Sequence, residues 1–292
     1  MLFEMKPKFE LYIGSLTKAA KEQREQMLDE GNREIRTKRF KTLKVAVAPH
    51  LINKDLLKML KKYNVETIEL EAQSTNNYIL KKCGYIHTKE DIKKATRMIK
   101  WNRFKVSFQV GIGLPDSTRI DELNTAKELA KLRPNKVRIY PMVVMKNTDL
   151  AEEYMHERYE PLTLNQAIER CKEVVYEFNR KHIKQIGIVK QNELNDSEET
   201  EIIAGPYHND FGQLVTDNIW YDSIVDKIKK CNAKVKKVKF EVNPKELPNI
   251  IGYEAENAKK LRELYDVEIK AEGNPKIKLG KSKLTVLEVY SN

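Results

Sequence analysis

Apolar and polar residues follow two rhythms along most of this chain, short strand-like runs and longer helical ones, and the rhythms take turns. The clearest passage is Lys105 to Met145. Lys105–Ile112 is rich in Val and Phe and stops at Gly111-Ile-Gly113-Leu-Pro115, a turn signal. Ser117 or Thr118 can cap the helix that follows, whose apolar residues Leu123, Ala126, Leu129, Ala130 and Leu132 recur at helical spacing. Arg133-Pro134 closes that helix, and a second apolar run extends from Lys136 to Met145. Strand, helix and strand in this order predict a right-handed crossover between parallel strands.

The same alternation recurs on both sides. Strands are expected at Phe9 to Gly14, Leu43 to Ala48, Thr67 to Gln73 and Lys184 to Lys190. Helices are expected at Thr17 to Lys38, Asn53 to Tyr63, Thr88 to Asn102 and Leu164 to Lys181. The stretch after Met145 reads as irregular, and Gln191 to Glu201 as a polar, acidic surface loop. Regular alternation predicts an α/β fold, a parallel sheet with helices outside that is curved or barrel-like. From about Lys236 the pattern changes: strand at Val238 to Val242, a helical turn at Pro248 to Tyr253, a helix at Glu256 to Tyr265, then strands at Val267 to Lys270 and Leu284 to Tyr290. The expected division is a barrel-like domain over 1–222 and a small α/β domain over 223–292.

Charge sharpens that division. The 292 residues carry a formal net charge of +11 with a sequence pI of about 9.2. Residues 223–292 hold sixteen Lys or Arg against ten Asp or Glu, so over half of the excess lies in the small domain. A polyanion is the matching partner class. No apolar run reaches the roughly 18 residues of a membrane span, and the N-terminus lacks the apolar centre and cleavage site of a signal peptide. The expected location is cytoplasmic. Cys83, Cys171 and Cys231 are far apart in sequence, so neither a disulfide framework nor a Cys-x-x-Cys metal pair is expected.

Ligands of parallel α/β sheets bind at the carboxyl ends of the strands. Four such ends carry small or polar residues: Gly14 to Thr17, Gln73-Ser74, Gly111 to Pro115 and Arg138 to Pro141. Amides freed by glycine can hold a carboxylate or phosphate, and Gln73 or Ser74 can bond a ribose or amino group. His87 and His208 are the histidines in informative contexts, although a lone histidine is ordinarily a surface or capping group. In the small domain, Ile250-Ile251-Gly252-Tyr253-Glu254-Ala255 followed by a helix approximates a KH module, whose Gly-x-x-Gly turn grips single-stranded RNA. Here Ala255 replaces the second glycine and Glu254 adds a negative charge. Gly252, Lys259 and Lys260 are the candidate RNA contacts.

Taken together, the blocks resemble radical SAM enzymes related to the catalytic subunit of elongator, in the short bacterial form without an acetyltransferase domain. Tyr12-Ile-Gly14-Ser15-Leu-Thr17 resembles the family's Gly-Gly-Ser-Phe-Thr, and Glu69-Leu70-Glu71-Ala72-Gln73-Ser74 its Glu-Leu-Gly-x-Gln-Ser. Ile86-His87-Thr88 resembles its Gly-His-Thr, Gly113-Leu114-Pro115 its Gly-Leu-Pro-Gly, and Val137-Arg138-Ile139-Tyr140-Pro141 its Val-Arg-Ile-Tyr-Pro. Further matches are Thr148 to Leu150, Pro161-Leu162-Thr163, Ala204 to His208 and Ile219-Trp220-Tyr221, so the resemblance covers roughly residues 9–222. It implies a partial parallel (β/α) barrel of the radical SAM type that binds S-adenosylmethionine at its strand ends, works with an iron-sulfur cluster, and modifies the wobble uridine of tRNA. By matched position, Gly14 and Ser15 would meet the methionine moiety, Gln73, Ser74 and Gly113 would line the cofactor pocket, and Arg138 and Tyr140 would lie deeper in the barrel mouth.

Departures from the pattern open two readings. The three-cysteine cluster motif and the strand before it are missing, and thiolates are needed for such a cluster. Ile13 replaces the first glycine of Gly-Gly-Ser, Ala48-Pro49-His50 replaces Arg-Pro-Asp, and Glu71 replaces the glycine of Glu-Leu-Gly. One reading is an elongator-type enzyme that cannot assemble its cluster as given; the other is a non-catalytic scaffold that binds RNA or a protein. The strand at Phe9 to Gly14 would also become a bare sheet edge, which invites cover by a second chain.

Overall fold

The structure, a computed structural model, describes residues 9–37, 39–183, 186–188, 201–231 and 233–290. Within these, strands and helices alternate from the start: β1 (Phe9–Ser15), α1 (Lys21–Arg36), β2 (Phe40–Val47), α2 (Lys54–Lys62), β3 (Val65–Gln73), α3 (Asn77–Lys82), α4 (Lys89–Trp101), β4 (Lys105–Ile112), α5 (Arg119–Lys131) and β5 (Lys136–Pro141). Next come β6 (Val144–Met145), α6 (Asp149–Met155), α7 (Leu164–Arg180), β7 (Ile186–Ile188) and β8 (Ile202–Ala204). The starts of α2 to α5 are each fixed by a side chain that accepts an otherwise unpaired amide of the first turn. Thr118 takes the Asp121 amide while Asp121 reaches back to Thr118, and Thr88 with Asp91 repeats the arrangement at α4.

The strands form a six-stranded parallel sheet in the order β1-β2-β3-β4-β5-β7, curled into a half-barrel. Among the described residues β1 is one of its edges. Leu56, Leu57 and Leu60 of α2, Ile92 and Ile99 of α4, and Leu129 of α5 are buried against its outer side with Val45, Ile68, Phe108 and Val110. The expected crossover from β4 through α5 to β5 is present in register, Phe108 opposite Val137 and Val110 opposite Ile139.

Some expectations change. Lys136 to Met145 is not one strand: it ends at Pro141, which has no amide hydrogen to carry the ladder on, and Val144–Met145 instead pairs antiparallel with β8. The irregular stretch after Met145 contains α6, started by Thr148 accepting the Ala151 amide at 3.2 Å. Helix α3 was not expected either; it is one and a half turns long, too short for a periodic signal. The acidic loop at 191–200, and the ends of the strand expected at Lys184 to Lys190, lie outside the described residues.

The chain divides into two compact units, and the second takes in Tyr207 to Asn292 together with Leu164–Lys172. It holds α8 (Phe211–Lys229), β9 (Val235–Val242), α9 (Leu247–Ile251), α10 (Glu256–Tyr265), β10 (Glu268–Gly273) and β11 (Ser282–Val289). This unit therefore begins ahead of residue 223, because α8 is one helix whose Trp220 and Ile224 join the same core as Val238, Phe240, Ile250 and Leu261. The sequence pattern does not announce α8: its buried residues run from Phe211 through Asp217 to Ile228 without forming a single apolar stripe. Strand β9 is central in a three-stranded sheet, parallel to β10 and antiparallel to β11. No helix among the described residues is long and apolar enough to cross a membrane.

Candidate functional site

Side chains alternate across each strand, so while one side of the half-barrel sheet packs under helices, the other brings polar residues together. Lys44 comes from β2, Glu69 from β3, Ser107 and Gln109 from β4, and Arg138 and Tyr140 from β5. Glu69 is fully buried at their centre. Its carboxylate takes bonds from Lys44, from Ser107 Oγ at 3.0 Å, from Gln109 Nε2 at 2.9 Å and from Arg138 Nη1 at 3.0 Å, with the Tyr140 hydroxyl at 3.5 Å. Tyr12 of β1 adds its ring, 5.2 Å from the Lys44 ammonium and 5.1 Å from the Arg138 guanidinium, and the Tyr140 ring is 5.2 Å from that guanidinium.

This network is a charge cluster with one anion between two cations. Burial alone would push the Glu69 carboxyl up, but Lys44 and Arg138 outweigh it and hold it below the usual carboxylate range. Burial pulls the Lys44 ammonium down against the pull of Glu69, and burial followed by the charge of Glu69 pushes the Tyr12 and Tyr140 hydroxyls up. Arg138 and Tyr140 were expected here; Lys44, Glu69, Ser107 and Gln109 were not. Their signal is the repetition of a polar residue at every second position of successive strands.

The strand-end residues singled out from sequence are present at the rim, and most are already engaged. The Ser15 hydroxyl and the Thr17 hydroxyl (2.8 Å) both donate to the Glu71 carboxylate, and Thr17 Oγ1 in turn accepts the Ala48 amide at 2.9 Å. Gly14 makes this turn at φ +93°. Gln73 sits at a bulge with φ +57° and donates to Gln109 Oε1 at 3.1 Å. Ser74 is buried, 3.3 Å from the Thr125 hydroxyl, and accepts the Asn76 amide at 3.1 Å. At Gly113 (φ +76°), where a free amide was expected, the N–H donates to Glu122 Oε1 at 2.7 Å and the carbonyl accepts the Tyr159 hydroxyl at 2.7 Å. A Cβ there would meet Leu162 at 3.0 Å.

His87 is buried beside Tyr85, its ring Nε2 3.3 Å from the Ala72 carbonyl, and burial lowers its pKa, so it packs as a neutral ring. A cleft of about 340 Å³ opens nearby, walled by Tyr85, Leu114, Pro115, Met142 and Leu150 and rimmed by Asp149, Glu152 and Glu153. Cys83 lines it too, with its thiol pushed up to about 11 by burial and then by Asp116, which makes it a poor thiolate source. Among the described residues no three His, Cys, Asp or Glu side chains meet in a metal-binding group.

In the second unit, Gly252 (φ +81°) starts the turn between α9 and α10, and Glu254 (φ +49°) and Ala255 (φ +63°) are also left-handed. Such a conformation favours glycine, so the position expected to depart from Gly-x-x-Gly keeps a glycine-like backbone with an alanine side chain. Asp217 accepts the Tyr253 amide at 2.7 Å, and Asn257 bonds the Asp217 carbonyl at 2.9 Å, tying the turn to α8. Lys259 is exposed, and Lys260 lies 3.9 Å from Glu256. His208 stands edge-on to Tyr253, with ring centroids 5.4 Å apart.

Comparison with known proteins places this geometry. The Radical_SAM C-terminal domain matches residues 134–220. A tRNA uridine(34) acetyltransferase of Methanocaldococcus jannaschii is 34% identical over 119 residues, 40% of this chain and 22% of that protein. An uncharacterized protein of the same organism is 34% identical over 131 residues, 43% of this chain and 40% of that protein. The solved structure of Methanocaldococcus infernus Elp3 with an N-terminal deletion shares the fold at TM-score 0.55 and 23% identity, covering 78% of this chain and 53% of that one. The chain is thus similar to radical SAM proteins of the Elp3-like kind, and residues 134–220 match the radical SAM C-terminal domain. It spans well under two thirds of the length of these curated relatives. The matched radical SAM family implies S-adenosylmethionine and an iron-sulfur cluster. The rim as folded does not fit the cofactor readily, since the Ser15 and Thr17 hydroxyls and the Gly113 amide are bound to Glu71 and Glu122 of the chain itself.

Proposed function

We propose that this Elp3-like chain serves wobble-uridine modification by handling tRNA, and that its own strand ends do not take up S-adenosylmethionine. The observation that carries this reading is Glu71. Its carboxylate occupies the hydroxyl of Ser15, which by matched position would meet the methionine moiety, together with that of Thr17 beside it, and the carboxylate of that moiety would add like-charge repulsion there. The tRNA part draws on the relatives named as tRNA uridine(34) acetyltransferases and on the basic second unit with its strained Gly252–Ala255 turn, which supports a KH-like grip.

Calorimetry of S-adenosylmethionine with the unaltered chain and with Glu71→Gly tests it. The expected result is no binding heat for the unaltered chain and measurable binding once Glu71→Gly releases Ser15 and Thr17. Binding by the unaltered chain would overturn the scaffold reading in favour of an elongator-type radical enzyme, the reading that the family match itself supports.

A further inference from the structure

Two sets stand out among the lysines of the second unit. On the open side of its sheet three have a carboxylate, Lys237 with Glu268, Lys239 with Glu272 at 3.0 Å and Lys283 with Glu241 at 3.4 Å, and at the edge Lys236 pairs with Glu288 at 2.7 Å. Such a ladder is locally close to neutral. Lys276, Lys278 and Lys281, in the loop between β10 and β11, and Lys230, at the end of α8, are exposed and have no acidic partner among the described residues. Lys227 is drawn into the same corner, its ammonium bonded to the Ser282 carbonyl and, at 2.7 Å, to the Ser282 hydroxyl. Burial first, and then the charges of Lys281 and Lys230, lower its pKa, as like charges without a counter-ion must.

The loop that carries this charge is built rather than loose. Both Glu246 oxygens accept the Gly280 amide at 2.9 Å, Asn243 Nδ2 donates to the Ile277 carbonyl at 3.0 Å, and the Asn274 amide bonds the Val242 carbonyl at 2.7 Å. A pre-ordered display of cations loses little entropy when an anion arrives. By contrast, the Gly252 turn is flanked by Glu254 and Glu256, both exposed. Leu279 is the loop's one exposed leucine, too little apolar surface for a membrane anchor. Successive phosphates of a nucleic-acid backbone fit a row of unpaired lysines.

We propose that the 274–281 loop, with the end of α8, is the contact through which this chain holds the phosphate backbone of RNA, ahead of the Gly252 turn. The proposal rests on the tRNA reading above and adds the surface that does the work. The test is fluorescence anisotropy of a labelled, unmodified tRNA transcript with the full chain across a series of KCl concentrations. The triple variant K276A/K278A/K281A should bind at least about tenfold more weakly, and its plot of log affinity against log salt should be shallower by about 2, at roughly 0.7–0.9 per lost phosphate contact. The matched variant K237A/K239A/K283A, taken from the neutralised ladder, should change the slope by less than about 1. A loop variant with the affinity and slope of the unaltered chain would overturn the loop assignment and leave the tRNA reading standing. No tRNA binding by the unaltered chain, or preference for vesicles of anionic lipid over tRNA, would overturn both.

Discussion

The two compact units hold comparable polar chemistry and treat it in opposite ways. In the half-barrel, Lys44, Glu69 and Arg138 are withdrawn from water and satisfied by one another. In the second unit the lysines of the sheet's open side and of the 274–281 loop reach solvent, and what separates these two groups is whether a glutamate lies within reach. Buried charges are costly unless fully paired, so the first arrangement fixes geometry. Exposed charges are screened and weakly coupled, so the second can be spent on a partner. Charge count alone would not have told these apart.

The largest effect expected from this contrast is at Glu69. Glu69→Gln leaves the buried Lys44 and the half-buried Arg138 facing no bonded anion and should cost about 3–5 kcal/mol in urea or thermal unfolding. The pH dependence follows from the lowered Glu69 carboxyl: the stability it contributes is complete above the ordinary carboxylate range and is lost as pH falls through its depressed folded value. Unfolding midpoints of the unaltered chain should therefore drop on acidification below about pH 4, and those of Glu69→Gln should drop less. A flat profile for both would mean the network holds no stabilising charge.

Smaller effects are expected at the turn of the second unit. Gly252→Ala places a Cβ 2.9 Å from the Asn257 amide nitrogen at φ +81°, and should destabilise by about 1–3 kcal/mol. Ala255→Gly relieves a left-handed alanine and should stabilise by up to about 1 kcal/mol; a loss instead would show that Ala255 packs usefully. Smallest of all, Lys239→Ala removes an exposed ion pair and should move stability by less than about 1 kcal/mol. A change as large as that of Glu69→Gln would erase the distinction between the units.

The crossover from Lys105 to Pro141 was legible because each of its signals is local: a β-branched run, a capping threonine, helical spacing, a closing proline. The inner face was not, because it depends on register. Glu69 meets Ser107 across β4 only because the strands align at those residues, and a glutamate inside a strand reads from sequence as an outward, solvated position. The Gly113 turn misled in another way. Its glycine was rightly tied to a tight turn, but the amide was expected to be free for a ligand, whereas Glu122, nine residues on, takes it. Whether a turn's donors are free depends on what the following helix turns back toward them. The family blocks, by contrast, needed no geometry, and they carried the fold.

The sheet order β1-β2-β3-β4-β5-β7 has a consequence for how the half-barrel is made. Every strand pairs with the described one before it in that sheet, so each addition closes a modest loop onto an edge that already exists, at small entropic cost. A chain leaving the ribosome can then lay down its barrel in reading order, with no strand waiting for a later one to be inserted between neighbours. The buried ring of charges would close only when β5 delivers Arg138 to a carboxylate that β3 and β4 have already positioned. Until that moment Lys44 is the one cation bonded to Glu69, beside the neutral donors Ser107 and Gln109.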